Sequence, residues 1–269
     1  MGTGLPGYEV MPNGAKAGLI IVHGMAEHGA RYRHATEALA CENIACFVYD
    51  QRGHGTSPGT RTHVEDFALF ADDLERIGQA AAKKFPGLPL FVWGHSMGSV
   101  VVTLAAIDAL HWARGVITTG CALDAMPKLN GVVGGALKLG TALLPRLRIS
   151  LRIDATVLTQ VPETQQRHMS DPLVPRTASL KLLYGFALAC GKCRAQAHQV
   201  TQPWLALHGE ADAVCPVSGS RTLIGAIASK DKQLVTYPGL LHEIHNEDDR
   251  SRAVVFELMT RWILERAKG

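Results

Sequence analysis

The sequence predicts an α/β protein with a mostly parallel central sheet, flanked by helices and interrupted by a helical insertion. Three observations lead there. Short apolar runs bounded by Gly, Pro or charged residues alternate with segments whose apolar residues recur at three- and four-residue spacing, the pattern of a parallel α/β sheet. That alternation stops between residues 121 and 200, where only Leu- and Ala-rich helical pieces remain, broken by Gly134-Gly135, Pro145, Pro162, Pro172 and Pro175. The chain of 269 residues, 47% hydrophobic and 19% charged, is longer than one domain of about 150 residues and too apolar to be disordered. The expectation is a core domain of residues 1–120 and 201–269 with 121–200 as a helical cap.

The first candidate strands, Tyr8-Glu-Val and Leu19 to Val22, flank Asn13-Gly14, a dipeptide suited to a type I′ turn, so the chain is expected to open with a hairpin. Five further runs, Ala45 to Tyr49, Leu90 to Trp93, Gly115 to Thr118, Trp204 to Leu207 and Leu234 to Tyr237, read as strands buried on both faces. The helical patterns are Val64 to Lys84, Met97 to Ala113, Val217 to Ala228 and Asp249 to Ala267. No internal repeat is present.

Several function classes fall away on composition. The net charge of +3 is spread without a run of five like charges, so no nucleic-acid-binding tail or acidic arm is expected. The amino-terminal residues lack the basic start and apolar stretch of a secretory signal, and no apolar run approaches the roughly 18 residues of a membrane span. Six cysteines without the spacing of a stapled mini-protein read as reduced, buried thiols, so a cytoplasmic location is expected. His242-Glu243-Ile244-His245 lacks the four-residue histidine spacing of a zincin helix, and Cys190-Gly-Lys-Cys193 is a lone C-x-x-C. Neither a metal nor an organic cofactor is expected.

Gly94-His95-Ser96-Met97-Gly98 is a G-x-S-x-G motif between a strand-like and a helix-like run, the context that gives the motif chemical meaning. A serine on so sharp a bend is strained, and glycines two residues either side let strand and helix approach. Ser96 then needs a general base and a carboxylate to orient it. His242, after the run ending at Tyr237, suits the base. Asp212, after the run ending at Leu207, suits the acid. Glu210 is the nearest rival to Asp212, and His245 the nearest to His242, with packing or a helix-start hydrogen bond as its alternative role. An oxyanion requires two donors, and the backbone N–H groups of Met25, after His23-Gly24, and Met97 are the natural pair.

These ordered motifs resemble the monoacylglycerol lipase and lysophospholipase-like branch of the α/β-hydrolases, of the serine aminopeptidase S33 type. The resemblance runs over nearly the whole chain. It includes His23-Gly24 through Glu27-His28 with Arg31-Tyr32, Asp50-Gln-Arg-Gly-His-Gly55 with Ser57, and Phe85-Pro-Gly-Leu-Pro89. Later come Ser170-Asp-Pro-Leu173, His208-Gly-Glu-Ala-Asp212, and His242-Glu243 with Asn246-Glu247. It implies an α/β-hydrolase fold, a triad of Ser96, Asp212 and His242, and oxyanion donors at Met25 and Met97. Gly98 is followed by Ser99 where the family often has a second glycine. The insertion is the least similar segment, so substrate identity is the point it leaves open.

The expected chemistry is ester hydrolysis through an acyl-enzyme, on monoacylglycerol or a similar acyl ester, with lysophospholipase or thioesterase activity as alternatives. A non-catalytic ligand-binding module is the alternative from another class, and the complete Ser/Asp/His set argues against it. Candidate pocket residues are Gly24, Glu27, His95, Leu143, Leu183 and Cys215. The apolar insertion, including Val132-Val133, Leu137, Leu139, Leu143-Leu144 and Leu182-Leu183, is expected to form a lid whose inner face accommodates an acyl chain, and Gly131 to Leu144 to offer a peripheral membrane contact. A small-molecule acyl ester is thus the expected partner, with no nucleic acid.

Overall fold

A computed structural model describes residues 4–108, 110–129, 131–151 and 153–268, without the side chains of Val132 and Val133. Those two members of the expected lid stripe therefore lie outside the described residues. Among the described residues nine strands and eight α-helices form. In order they are β1 (Gly7–Val10), β2 (Ala17–Val22), α1 (Arg33–Cys41), β3 (Ile44–Tyr49), α2 (Ala68–Lys84), β4 (Leu90–His95), α3 (Met97–Ile107) and β5 (Ala113–Thr119). There follow α4 (Gly131–Leu143), β6 (Arg148–Ser150), α5 (Pro162–Ser170), β7 (Thr177–Ser179), α6 (Leu180–Gln196), β8 (Trp204–Gly209), α7 (Ser218–Ala226), β9 (Lys232–Tyr237) and α8 (Asp249–Ala267).

Seven strands make one sheet in the order β1-β3-β2-β4-β5-β8-β9, parallel except for the β1–β3 edge pair. The expected opening hairpin does not form. β1 pairs antiparallel with β3 (Gly7 opposite Tyr49), while β2 lies between β3 and β4. Gly14 takes a positive φ of 73° and Asn13 does not, so the type I′ geometry that would fold β1 back on β2 is absent.

Successive residues of a strand point to opposite faces, so a run buried on both faces feeds two cores. Ile20, Val92, Val116 and Ala206 pack with α2, α3, α6 and α7 on one side. Leu19, Ile21, Phe91, Ile117 and Leu205 pack with α1 and α8 on the other, around Met259, Trp262 and Ile263. The helical pattern expected over Met97 to Ala113 ends at Ile107, because the chain must re-enter the sheet at Ala113. Helix α1, without a strong sequence signal, buries Ala35, Thr36 and Leu39 against the sheet.

The segment between β5 and β8 adds no strand to the main sheet. Contrary to the strandless reading of 121–200, it holds an antiparallel pair, β6–β7, with Arg148 opposite Ser179. Three residues per strand are too few to show a two-residue period. Helix α6 also differs from the rest of the insertion, since Leu182, Phe186, Cys190 and Cys193 are buried in the same core as α3. No helix among the described residues is long and apolar enough to cross a membrane.

Candidate active site

The site forms where loops leave the carboxyl ends of β2, β4, β8 and β9. Ser96 joins β4 to α3 with φ 52° and ψ −120°, a conformation that side-chain-bearing residues rarely adopt and that surrounding structure must impose. The glycines of the motif make it feasible. A Cβ at Gly98 would overlap the Val22 carbonyl oxygen, and one at Gly94 would overlap that of Gly98. Ser96 N–H donates to the Thr119 carbonyl on β5 at 3.0 Å, which pins the bend to the neighbouring strand. Ser99, in place of a second glycine, donates to the Ser96 carbonyl at 2.5 Å and accepts from Ala122 N–H at 3.1 Å.

Asp212 and His242 come together over the ends of β8 and β9. His242 Nδ1 lies 2.7 Å from Asp212 Oδ2. A carboxylate only accepts, so Nδ1 carries the proton and Nε2 is left with a free lone pair. Asp212 Oδ1 accepts the backbone N–H groups of Val214 and Cys215 at 2.9 and 2.8 Å. Burial pushes the Asp212 carboxyl upward, but hydrogen bonds from His208 and His242 outweigh it and hold the group below the usual carboxylate range. His208 Nε2, 3.1 Å from Oδ2, is a contributor that sequence reading names only as the start of the motif ending at Asp212. Its signal was a histidine at the end of an otherwise apolar strand.

The two rivals take other roles. Glu210 is exposed and accepts from Thr236 Oγ1 at 2.7 Å. His245 is buried, stacked on Tyr32 at 5.0 Å and edge-on to Trp93 and His95. Burial drives its pKa down to about 3, so it sits in the core as a neutral ring.

Ser96 and His242 share the wall of a cavity of about 480 Å³, together with Gly24, Met25, Glu27 and His95. Met97 is fully buried below it as the first residue of α3, where helix N–H groups have no intrahelical acceptor. Gly24 lets the loop after β2 press against the serine, since a Cβ there would lie 3.0 Å from Ser96 Cβ. Three expected pocket residues lie elsewhere. Leu143 is 70% exposed on α4, because the helix turns that face outward. Leu183 packs into the α3-side core with the rest of α6. Cys215 does not line the cavity but lies buried behind it, its Sγ 3.9 Å from Ser96 Oγ, and burial keeps its thiol protonated by pushing it well above the usual range.

The cavity wall combines apolar side chains, among them Leu151, Ile153, Leu158, Met169, Val174 and Val214, with the polar and charged groups of Glu27, Arg31, His168 and Glu243. Arg31 bridges two buried carboxylates, with Nη1 3.2 Å from Glu27 Oε2 and Nη2 2.7 Å from Glu243 Oε2. Glu27 also accepts from Gly24 N–H and, at 2.9 Å, from Tyr32 Oη. Sequence spacing shows Glu243 only as a neighbour of His242; its partner lies 212 residues away. Among the described residues no cluster of three or more His, Cys, Asp or Glu side chains is arranged to hold a metal ion.

A strand–serine–helix bend over the carboxyl edge of a mostly parallel sheet, beside a histidine paired with a carboxylate, is the arrangement of an α/β-hydrolase, and the chain is a serine ester hydrolase of that class. More particularly, it belongs to the family described as serine aminopeptidase, S33, whose profile matches residues 13–249. It is similar to the monoacylglycerol lipase of Mycolicibacterium smegmatis, 33% identical over 250 residues, covering 91% of this chain and 87% of that protein. It is equally similar, at 33% over 259 residues, to the human monoglyceride lipase, covering 95% of this chain and 85% of that one. Among solved structures, the monoacylglycerol lipase of Paleococcus ferrophilus superposes with a TM-score of 0.83 at 26% identity, over 97% of this chain and all of that one.

Proposed function

We propose that the protein hydrolyses monoacylglycerols, with Ser96 as nucleophile, His242 as general base and then acid, Asp212 as its orienting carboxylate, and Met25 and Met97 N–H as oxyanion donors. The observation that carries this reading is that Ser96 and His242 open on a cavity whose wall offers both apolar and polar groups. An acyl chain suits the apolar side chains, and a polyol suits Glu27, Arg31, His168 and Glu243. The similar proteins named monoacylglycerol or monoglyceride lipase support the same substrate.

In this mechanism Ser96 Oγ attacks the ester carbonyl while His242 Nε2 takes its proton. The proton passes to the leaving glycerol, and the acyl chain stays on Ser96. Water, deprotonated by the same nitrogen, then releases the fatty acid. The bond from Nδ1 to Asp212 holds the imidazole in the tautomer required and stabilises it when charged. A second cavity of about 720 Å³ shares Arg31 and His168 with the first.

Residues 121–200 act in this reading as the cap over a core of 1–120 and 201–269, with α6 as the part that stays packed on the core. The leucines of α4 supply a peripheral contact with a lipid surface. Six free cysteines, five of them buried, support a reducing cytoplasmic setting.

The family description also covers aminopeptidases, which need a free carboxylate to receive a substrate amine. Glu27 and Glu243 are already shared by Arg31, and Asp154 accepts from Thr156 N–H at 3.0 Å, which favours the ester. The deciding assay compares release of fatty acid from monoacylglycerols, p-nitrophenyl esters of rising chain length, and an aminoacyl p-nitroanilide. Ester turnover that Ser96→Ala abolishes is expected; equal turnover by both proteins, or preference for the anilide, overturns the reading. Leu143→Glu tests the lipid contact and is expected to weaken liposome binding without changing turnover of soluble esters.

A further inference from the structure

We propose that residues 126–153 form a cationic, apolar ramp that docks on an anionic phospholipid surface and so selects where the enzyme takes its substrate. The inference rests on the peripheral lipid contact put forward above and adds the charge of the surface. Six of the ten large apolar side chains exposed among the described residues fall between 139 and 153, with Leu139, Leu143 and Leu144 at 61%, 70% and 59%. The stretch leads into the cavity, since Ile153 is both exposed and part of its wall. A chain drawn from a membrane therefore meets apolar surface from α4 to Ser96.

The same 28 residues hold Lys128, Lys138, Arg146, Arg148 and Arg152 and no Asp or Glu. The whole chain carries +3, so the remaining residues are net −2 once these five cations are set aside. The net positive charge thus comes from this stretch of sequence, and the field of the molecule turns it toward a negative surface. Lys138 and Arg146 are exposed. Arg146 feels the carboxylate of Glu65, which is already engaged by His63 at 3.1 Å. Arg148 differs, because its guanidinium donates to Arg61 O, Thr62 Oγ1 and Thr177 and ties the ramp to the core. Apolar side chains inserted among flanking cations are the composition of an interfacial element, in which burial and charge attraction add.

The test measures binding to vesicles of phosphatidylcholine, with and without phosphatidylglycerol, for the wild type and for Lys138→Gln/Arg146→Gln. Each cation near a negative surface is worth about a fivefold change in partitioning, so the double variant is expected to bind anionic vesicles about 25-fold more weakly and neutral ones unchanged. Added salt should reproduce the loss in the wild type. Unchanged turnover of soluble p-nitrophenyl butyrate shows that the variant is folded. Equal wild-type binding to both vesicles overturns the charge selection and leaves the lipid contact standing. Binding to neither overturns both. Anionic binding that survives the double variant overturns the assignment to this segment.

Discussion

Replacing Arg31 with methionine removes the cation shared by two buried carboxylates while keeping much of the side chain's bulk. Glu27 and Glu243 are 3% and 2% exposed, so neither can turn to water. Breaking a buried ion pair by removing one partner typically destabilises by about 3–5 kcal/mol. For a chain of this size that lowers Tm by about 10 °C. The loss should depend on pH, with a definite sign. In the wild type, burial pushes Glu243 up but the Arg31 guanidinium prevails and holds it at about 2, so its stabilisation is present above the unfolded value and lost as pH falls toward 2. Burial already raises Glu27 in the presence of Arg31. Without Arg31 both folded-state pKa values lie above the unfolded value near about 4.3. The variant then folds with proton uptake, and its deficit grows as pH rises through those raised values. Urea unfolding followed by circular dichroism at pH 5 and pH 8 should show the larger deficit at pH 8. Adding Glu27→Gln and Glu243→Gln should restore much of the loss, because no charge is then stranded. An equal deficit at both pH values, or one under about 1 kcal/mol, refutes the argument and makes Arg31 a packing residue.

Asp212→Asn should leave the fold intact and lower kcat by about 10⁴-fold, because an amide can hold His242 in the wrong tautomer; steady-state kinetics on a soluble ester measures it. Gly98→Ala places a methyl group on the Val22 carbonyl oxygen, which is backbone and cannot yield, so a loss of about 3 kcal/mol or more is expected in denaturant titration. Glu27→Gln keeps an acceptor for Gly24 N–H but removes the charge facing Arg31, so kcat should fall less than in Glu27→Ala, where the loop before Met25 loses that acceptor; the ratio of the two kcat values decides it.

What was legible in the sequence was local. The continuous apolar runs foretold strands fed into two cores, except that Leu234 to Tyr237, expected to be buried on both faces, lies in the edge strand β9 and is only partly covered, and the glycines at 94 and 98 marked the one bend where strand, serine and helix crowd together. Helix α8 kept the boundaries its periodicity suggested, Asp249–Ala267. What escaped was set by pairing across distance. Nothing within β1 says that its partner is β3 rather than β2, since either edge would satisfy its backbone. Nothing near Asp212 says that His208, at the end of the same strand, folds back onto its second oxygen. Leu143 and Leu183 share a helical, leucine-rich context, and only the seat of each helix decides that one faces water and the other the α3-side core.

The hydrogen bonds around the site also divide the insertion into two unlike halves. Its later part is tied to the loop that carries His242: Glu243 N–H donates to Leu158 O at 2.7 Å, Thr159 Oγ1 to Asn246 O at 2.9 Å, and Gln160 N–H to Glu247 at 2.8 Å. Asp171 reaches the loop after β2 through His28, at 2.8 Å. Those contacts join this part of the insertion to both the loop after β2 and the loop that carries His242, so alterations there should disturb catalysis as much as binding on the proposed reading. The earlier part, α4 and the residues leading to Ile153, carries the exposed leucines and is tied through Arg148 to Arg61, Thr62 and Thr177 rather than to the loop that carries His242. It can vary in sequence without disturbing Ser96, Asp212 or His242. On the proposed reading the cap's two tasks are physically separate: the part tied to the His242 loop would delimit the alcohol end of the substrate, and the apolar, cationic part would set the surface from which the acyl end arrives.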